Sequence, residues 1–93
     1  MATRNVKVLV LGRVQGVYFR YHTKLMADSL GLSGWVKNCP DGSVEAHLSG
    51  NDLQVTEMIN WLHQGPDSAA VVKVDVAEID NQELSFDGFV IRY

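Results

Sequence analysis

Val6-Lys7-Val8-Leu9-Val10-Leu11-Gly12-Arg13-Val14-Gln15-Gly16-Val17-Tyr18-Phe19-Arg20 changes character halfway along its length. Residues 6–11 are apolar except for Lys7, the pattern of a central strand with two largely apolar faces. From Phe19 onward the period becomes helical. Phe19, Thr23, Met26, Ala27 and Leu30 fall on one face, and Gly31 supplies a C-terminal stop, which predicts a helix over 19–30. Between strand and helix, Gly12 and Gly16 let the backbone turn tightly and leave its N–H groups uncovered. The helix start adds unsatisfied N–H groups and a positive dipole end. Arg20 adds a forked cation close by. Together these features describe a seat for a small dianion such as phosphate.

The remaining elements follow in turn. Residues 34–38 form a second strand pattern, closed by the turn Cys39-Pro40-Asp41-Gly42. Val44, Ala46 and Leu48 alternate with Glu45, His47 and Ser49 as a third strand. Asn51 and Gln54 have capping-box spacing, with Asp52 at the positive end of the next helix. Val55, Met58, Ile59 and Leu62 form the stripe of a helix lying on a sheet, and Gly65-Pro66 ends it. Val72, Val74 and Val76 predict a fourth strand, and Phe89, Ile91 and Tyr93 a short fifth. The order βαββαβ plus a terminal strand predicts an α+β, ferredoxin-like two-layer sandwich, with two helices on one face of an antiparallel sheet. The rings of Phe19, Trp35 and Phe89 are expected in its core.

Ninety-three residues suit one domain, 1–93, burying roughly 60–65% of the unfolded chain's surface. The net charge of −3 hides an asymmetry: residues 1–37 carry six Lys/Arg against one acid, Asp28, whereas 38–93 carry two against ten. The phosphate seat lies in the basic part. An acidic chain without a Lys/Arg run argues against nucleic acid as a partner. An RNA-binding use of this element order needs aromatics on the central strands, and 44–48 offer none. No apolar run approaches a membrane span, and the first five residues lack a signal-peptide core. Cys39 is the only cysteine, so a cytoplasmic monomer without disulfides is expected. His22, His47 and His63 lack metal-ligand spacing, so no metal site is expected from them. The sequence shows no base beside Cys39 of the kind a nucleophile needs.

Two signatures resemble the acylphosphatase family. The first, G-x-V-Q-G-V-x-[FM]-R, stands unbroken from Gly12 to Arg20. The second, G-[FYW]-[AVC]-[KRQAM]-N-x3-G-x-V-x5-G, stands as Gly34-Trp35-Val36-Lys37-Asn38 followed by Gly42, Val44 and Gly50. A lone glycine-rich loop would be weak; two long signatures in matching strand and loop contexts are specific. The closing Phe89-Val90-Ile91-Arg92-Tyr93 also fits the family.

The resemblance implies hydrolysis of small-molecule acyl phosphates to a carboxylate and inorganic phosphate, without metal or cofactor. It implies that Arg20 binds the phosphoryl group and that backbone N–H groups of Gln15, Gly16, Val17, Tyr18 and Phe19 cradle it. It further implies that Asn38 orients the attacking water, with Gly12 and Cys39 close to the site. An amide cannot act as a base at neutral pH, so a phosphate oxygen would take the water's proton. The alternative is a non-catalytic anion-binding or regulatory module on the same fold.

Overall fold

The computed structural model describes residues 3–16, 18–79 and 88–92. Five strands and two helices follow in the order β1 (Thr3–Arg13), α1 (Phe19–Ser29), β2 (Ser33–Asn38), β3 (Val44–Asn51), α2 (Asp52–Gln64), β4 (Ala70–Glu78) and β5 (Phe89–Ile91). They build one sheet in the order β4-β1-β3-β2-β5, with α1 packed on β2 and β5 and α2 on β1, β3 and β4. This is the expected α+β sandwich, and the strand expected to be central, β1, lies inside the sheet.

The helix-covered face follows from strand alternation. Val6, Val8 and Val10 of β1, Val36 of β2, and Val44, Ala46 and Leu48 of β3 are fully buried there. Phe19, Thr23 and Ala27 of α1 and Val55, Met58 and Leu62 of α2 close the core from above. Fully burying such side chains contributes about 1.5–3 kcal/mol each before ordering costs. Thr23 is the polar member, and its hydroxyl donates to the Phe19 carbonyl one turn earlier, at 2.7 Å.

Three details depart from the sequence-based expectation. The sheet is antiparallel in every pairing except the last, because β5 runs parallel to β2. The chain reaches β5 from the far edge of the sheet, so nothing obliges it to reverse beside β2. Second, the register between β1 and β4 shifts after Leu11: Leu11 faces Lys73 but Gly12 faces Val71. Val72 is the extra residue of this bulge. It stands 81% exposed, while Val71 and Val74 pack against the core. Third, Phe19 and Phe89 are buried as expected, but Trp35 is not a core residue. It lies on the uncovered face, where its ring meets the Arg92 guanidinium at 4.9 Å and the Lys37 ammonium at 5.4 Å. Its neighbours Gly34 and Val36 point the other way. Tyr93 falls outside the described residues. Among the described residues, no helix is long and apolar enough to cross a membrane.

Candidate active site

The bulge explains the first glycine of the loop. At Gly12 the β4 backbone lies so close that an added Cβ would sit 2.2 Å from the Ala70 carbonyl oxygen. Gly12 also has φ 131°, which disfavours any side chain. Pairing with β4 continues one residue further, to Arg13 opposite Ala70, and Val14, buried among the core residues, anchors the loop that follows. Gly16 takes φ 73° with open space around it, so there the backbone's hand, not crowding, calls for glycine.

The loop ends at Tyr18, which has φ 58° and ψ 26°, and α1 begins at once. Tyr18 is the one non-glycine residue with positive φ among those described. A side chain held in that region costs on the order of 1–3 kcal/mol, and such outliers gather at functional sites. Tyr18 provides no side-chain cap, and the first turn of α1 contains no acidic residue. What the first turn carries instead is Arg20, a cation beside a positive helix end. Its Nη1 donates to the Arg92 carbonyl at 3.3 Å. Arg92 is fixed in turn, because its N–H donates to the Val36 carbonyl at 2.8 Å and its guanidinium covers Trp35. The residue after the last strand thus positions the arginine, a contact that no side-chain pattern in the sequence announces.

Asn38 stands at the end of β2, opposite Val44. Its Oδ1 is buried and has no hydrogen-bond partner among the described residues. An amide oxygen left so costs about 1–3 kcal/mol unless something donates to it. The following turn is tied down on several sides. Cys39 N–H donates to the Ser43 carbonyl at 2.8 Å, and Gly42 N–H to the Cys39 carbonyl at 3.1 Å. Asp41 accepts from the Ser43 hydroxyl and, at 3.0 Å, from its N–H. These bonds, the hydroxyl's foremost, hold the Asp41 carboxyl below its ordinary range.

Gln15 completes the tether. Its Nε2 donates to the carbonyls of both Cys39 and Ser43 at 2.8 Å. The Gln15 side chain therefore clamps the loop before α1 to the turn after Asn38. The signature could have exposed this role only through its fixed glutamine. Cys39 is half-buried and contributes its backbone to the same clamp.

Val14, Gly16, Tyr18, Phe19, Arg20 and Asn38 line one cleft of about 320 Å³. Gly16, Tyr18, Phe19, Arg20 and Asn38, expected together from the sequence, do converge here; Gln15 braces the cleft from behind, and Val17 lies outside the described residues. A forked cation, an uncapped helix start and an unpaired amide oxygen in one cleft suit a phosphorylated ligand together with a water. Among the described residues, no three His, Cys, Asp or Glu side chains converge as metal ligands would.

The comparisons with known proteins bear on the family and the fold. The acylphosphatase family model matches residues 6–91. An acylphosphatase of Trichormus variabilis is 55% identical over 87 residues, covering 94% of this chain and 84% of its own. The crystal structure of acylphosphatase from Bacillus subtilis superposes with a TM-score of 0.92 at 34% identity, covering 97% of this chain and 99% of its own. An acylphosphatase structure from Coxiella burnetii gives a TM-score of 0.88 at 38% identity, with 97% and 93% covered. Two unbroken signatures, the sheet they build and a match spanning nearly every residue lead to one conclusion: the chain belongs to the acylphosphatase family.

Proposed function

We propose that this chain, acting as a single-domain cytoplasmic monomer, hydrolyses acyl phosphates to a carboxylate and inorganic phosphate. The observation that carries the reading is the single cleft that brings Arg20, Gly16 and the uncapped start of α1 together with the unpaired Oδ1 of Asn38. The lone Cys39 and the acidic surface composition suit the cytoplasm and give no reason to expect nucleic acid as a partner.

An acyl phosphate leaves as a carboxylate of low basicity, so the enzyme need not protonate it. The work that remains is to hold the phosphoryl group, answer its charge and place a water in line. Backbone N–H groups from Gln15 to Phe19 suit the holding, because they are fixed before the substrate arrives. Arg20 suits the charge, since its fork reaches two oxygens at once. Asn38 suits the water: Oδ1 accepts a hydrogen bond from it, which turns the water's lone pair toward phosphorus. The water oxygen bonds to phosphorus, the phosphorus–oxygen bond to the acyl group breaks, and the electron pair leaves with the carboxylate. The water's proton passes to a phosphoryl oxygen, giving dihydrogen phosphate.

The test is benzoyl phosphate hydrolysis with and without inorganic phosphate and a chelator. Turnover, competitive inhibition by phosphate and indifference to the chelator are expected. Phosphate binding without turnover would overturn the catalytic reading and favour an anion-binding module.

A further inference from the structure

A second cleft, of about 360 Å³, lies beside the first and is lined by Tyr18, Arg20, Tyr21 and Ile91. The two clefts share Tyr18 and Arg20, but only the first includes Asn38. In-line displacement puts the attacking water and the leaving group on opposite sides of phosphorus. With the water at Asn38, the departing carboxylate leaves on the side of phosphorus away from Asn38, and the second cleft is the neighbouring one that shares Arg20 but lacks Asn38.

The walls of that cleft are unlike those of the first. Tyr18 is 79% exposed and Tyr21 53% exposed, side by side at the start of α1. The left-handed backbone at Tyr18 places its ring outside the helix, and Ile91 supplies an apolar side chain from β5. Two large exposed rings flanking an arginine suit a flat or branched apolar group attached to an anion.

We propose that Tyr18, Tyr21 and Ile91 of this chain seat the acyl group of the substrate, so that its discrimination between aromatic and small acyl groups rests on these side chains. This rests on the acyl phosphate reading above. Benzoate and acetate are leaving groups of similar basicity, so the difference in rate between their phosphates reports the fit of the acyl group.

The experiment measures kcat/KM for benzoyl phosphate and acetyl phosphate, with the phosphate inhibition constant as a separate readout of the phosphate seat. Tyr21→Ala should lower the benzoyl-to-acetyl ratio about 2- to 10-fold, the range typical of one aromatic contact. Tyr21→Phe should preserve the ratio. Tyr18→Asn removes the other ring while tolerating the left-handed backbone, and should lower the ratio likewise. A ratio unchanged in both ring-deleting variants, or an equal fall on both substrates, overturns the acyl seat while leaving the hydrolase intact. Absence of turnover of either substrate by the unmodified chain overturns the hydrolase reading itself, and the acyl seat with it.

Discussion

The two helices rest on the same sheet and begin in opposite ways. Asn51 caps α2 from an extended backbone, its side chain accepting from Leu53 N–H at 3.0 Å, and Asp52 follows in the first turn. Arg4 approaches that start too, but Asp52 answers it at 3.5 Å and Glu78 at 2.6 Å. By contrast, α1 begins from a left-handed tyrosine, without a side-chain cap or an acid, and places Arg20 in its first turn. One helix has a side-chain cap and an acid at its start; the other has neither and carries a cation in its first turn. The difference teaches that missing capping chemistry is informative when the segment is otherwise well anchored. Here Val14, Phe19 and Gln15 hold the α1 start, so the missing cap is a property of a well-anchored segment.

Substitutions can break the contrast at either helix. The largest effect is expected at Arg20. Arg20→Ala should lower benzoyl phosphate turnover at least about 10²–10³-fold, the loss typical of one preorganised donor, with unchanged circular dichroism. Asn38→Ala should cost about 10²–10³-fold in kcat, again with the fold retained; full activity in either variant would sink the assigned roles. Gln15→Ala is expected to act on both counts. It deletes two hydrogen bonds worth about 0.5–1.5 kcal/mol each and frees the turn beside Asn38, so the urea midpoint and kcat should fall together. At the other helix, Asn51→Ala should cost about 1 kcal/mol in urea denaturation and leave turnover alone. A loss of activity there would show that the two starts are not independent.

The smallest effect belongs to the uncovered face of the sheet, away from both helix starts. His47 is buried on β3 beside Trp35, and burial, helped by Lys7 and Arg92, pushes its pKa below the usual histidine value. A folded-state pKa below the unfolded value means that the unfolded chain takes up the proton first as pH falls. The His47 contribution to stability should therefore be complete above the unfolded value, near pH ~6.5, and should decline as pH drops below it. Urea midpoints measured between neutral and mildly acidic pH should show this slope, and His47→Gln should flatten it.

Much of the α1 and α2 difference was legible in the amino-acid order. The shift from strand to helix periodicity at Phe19 and the Asn51 cap rest on local patterns, whereas the convergence of Gly16, Arg20 and Asn38 was implied by the resemblance that the two signatures carry. What stayed hidden depends on the partner strand. Val72, Val74 and Val76 alternate regularly, but a bulge defined jointly with Gly12 turns Val72 outward. The parallel pairing of β5 is a matter of which edge the chain reaches, and a short strand looks the same in both directions. Trp35 was readable in principle: once Val36 faces the helices, alternation sends Trp35 to the other side. The Arg92 contact to Arg20 was not, because a main-chain carbonyl is present at every residue.

That last contact joins positions 72 apart in the sequence. A ribosome delivers residues 12–20 well before Arg92. The strand, the loop and α1 can therefore leave the exit tunnel while the arginine still lacks the carbonyl that aims it. A nascent chain of this protein should carry the loop of residues 12–18 before it carries a competent enzyme, and gain activity only once Arg92 has emerged.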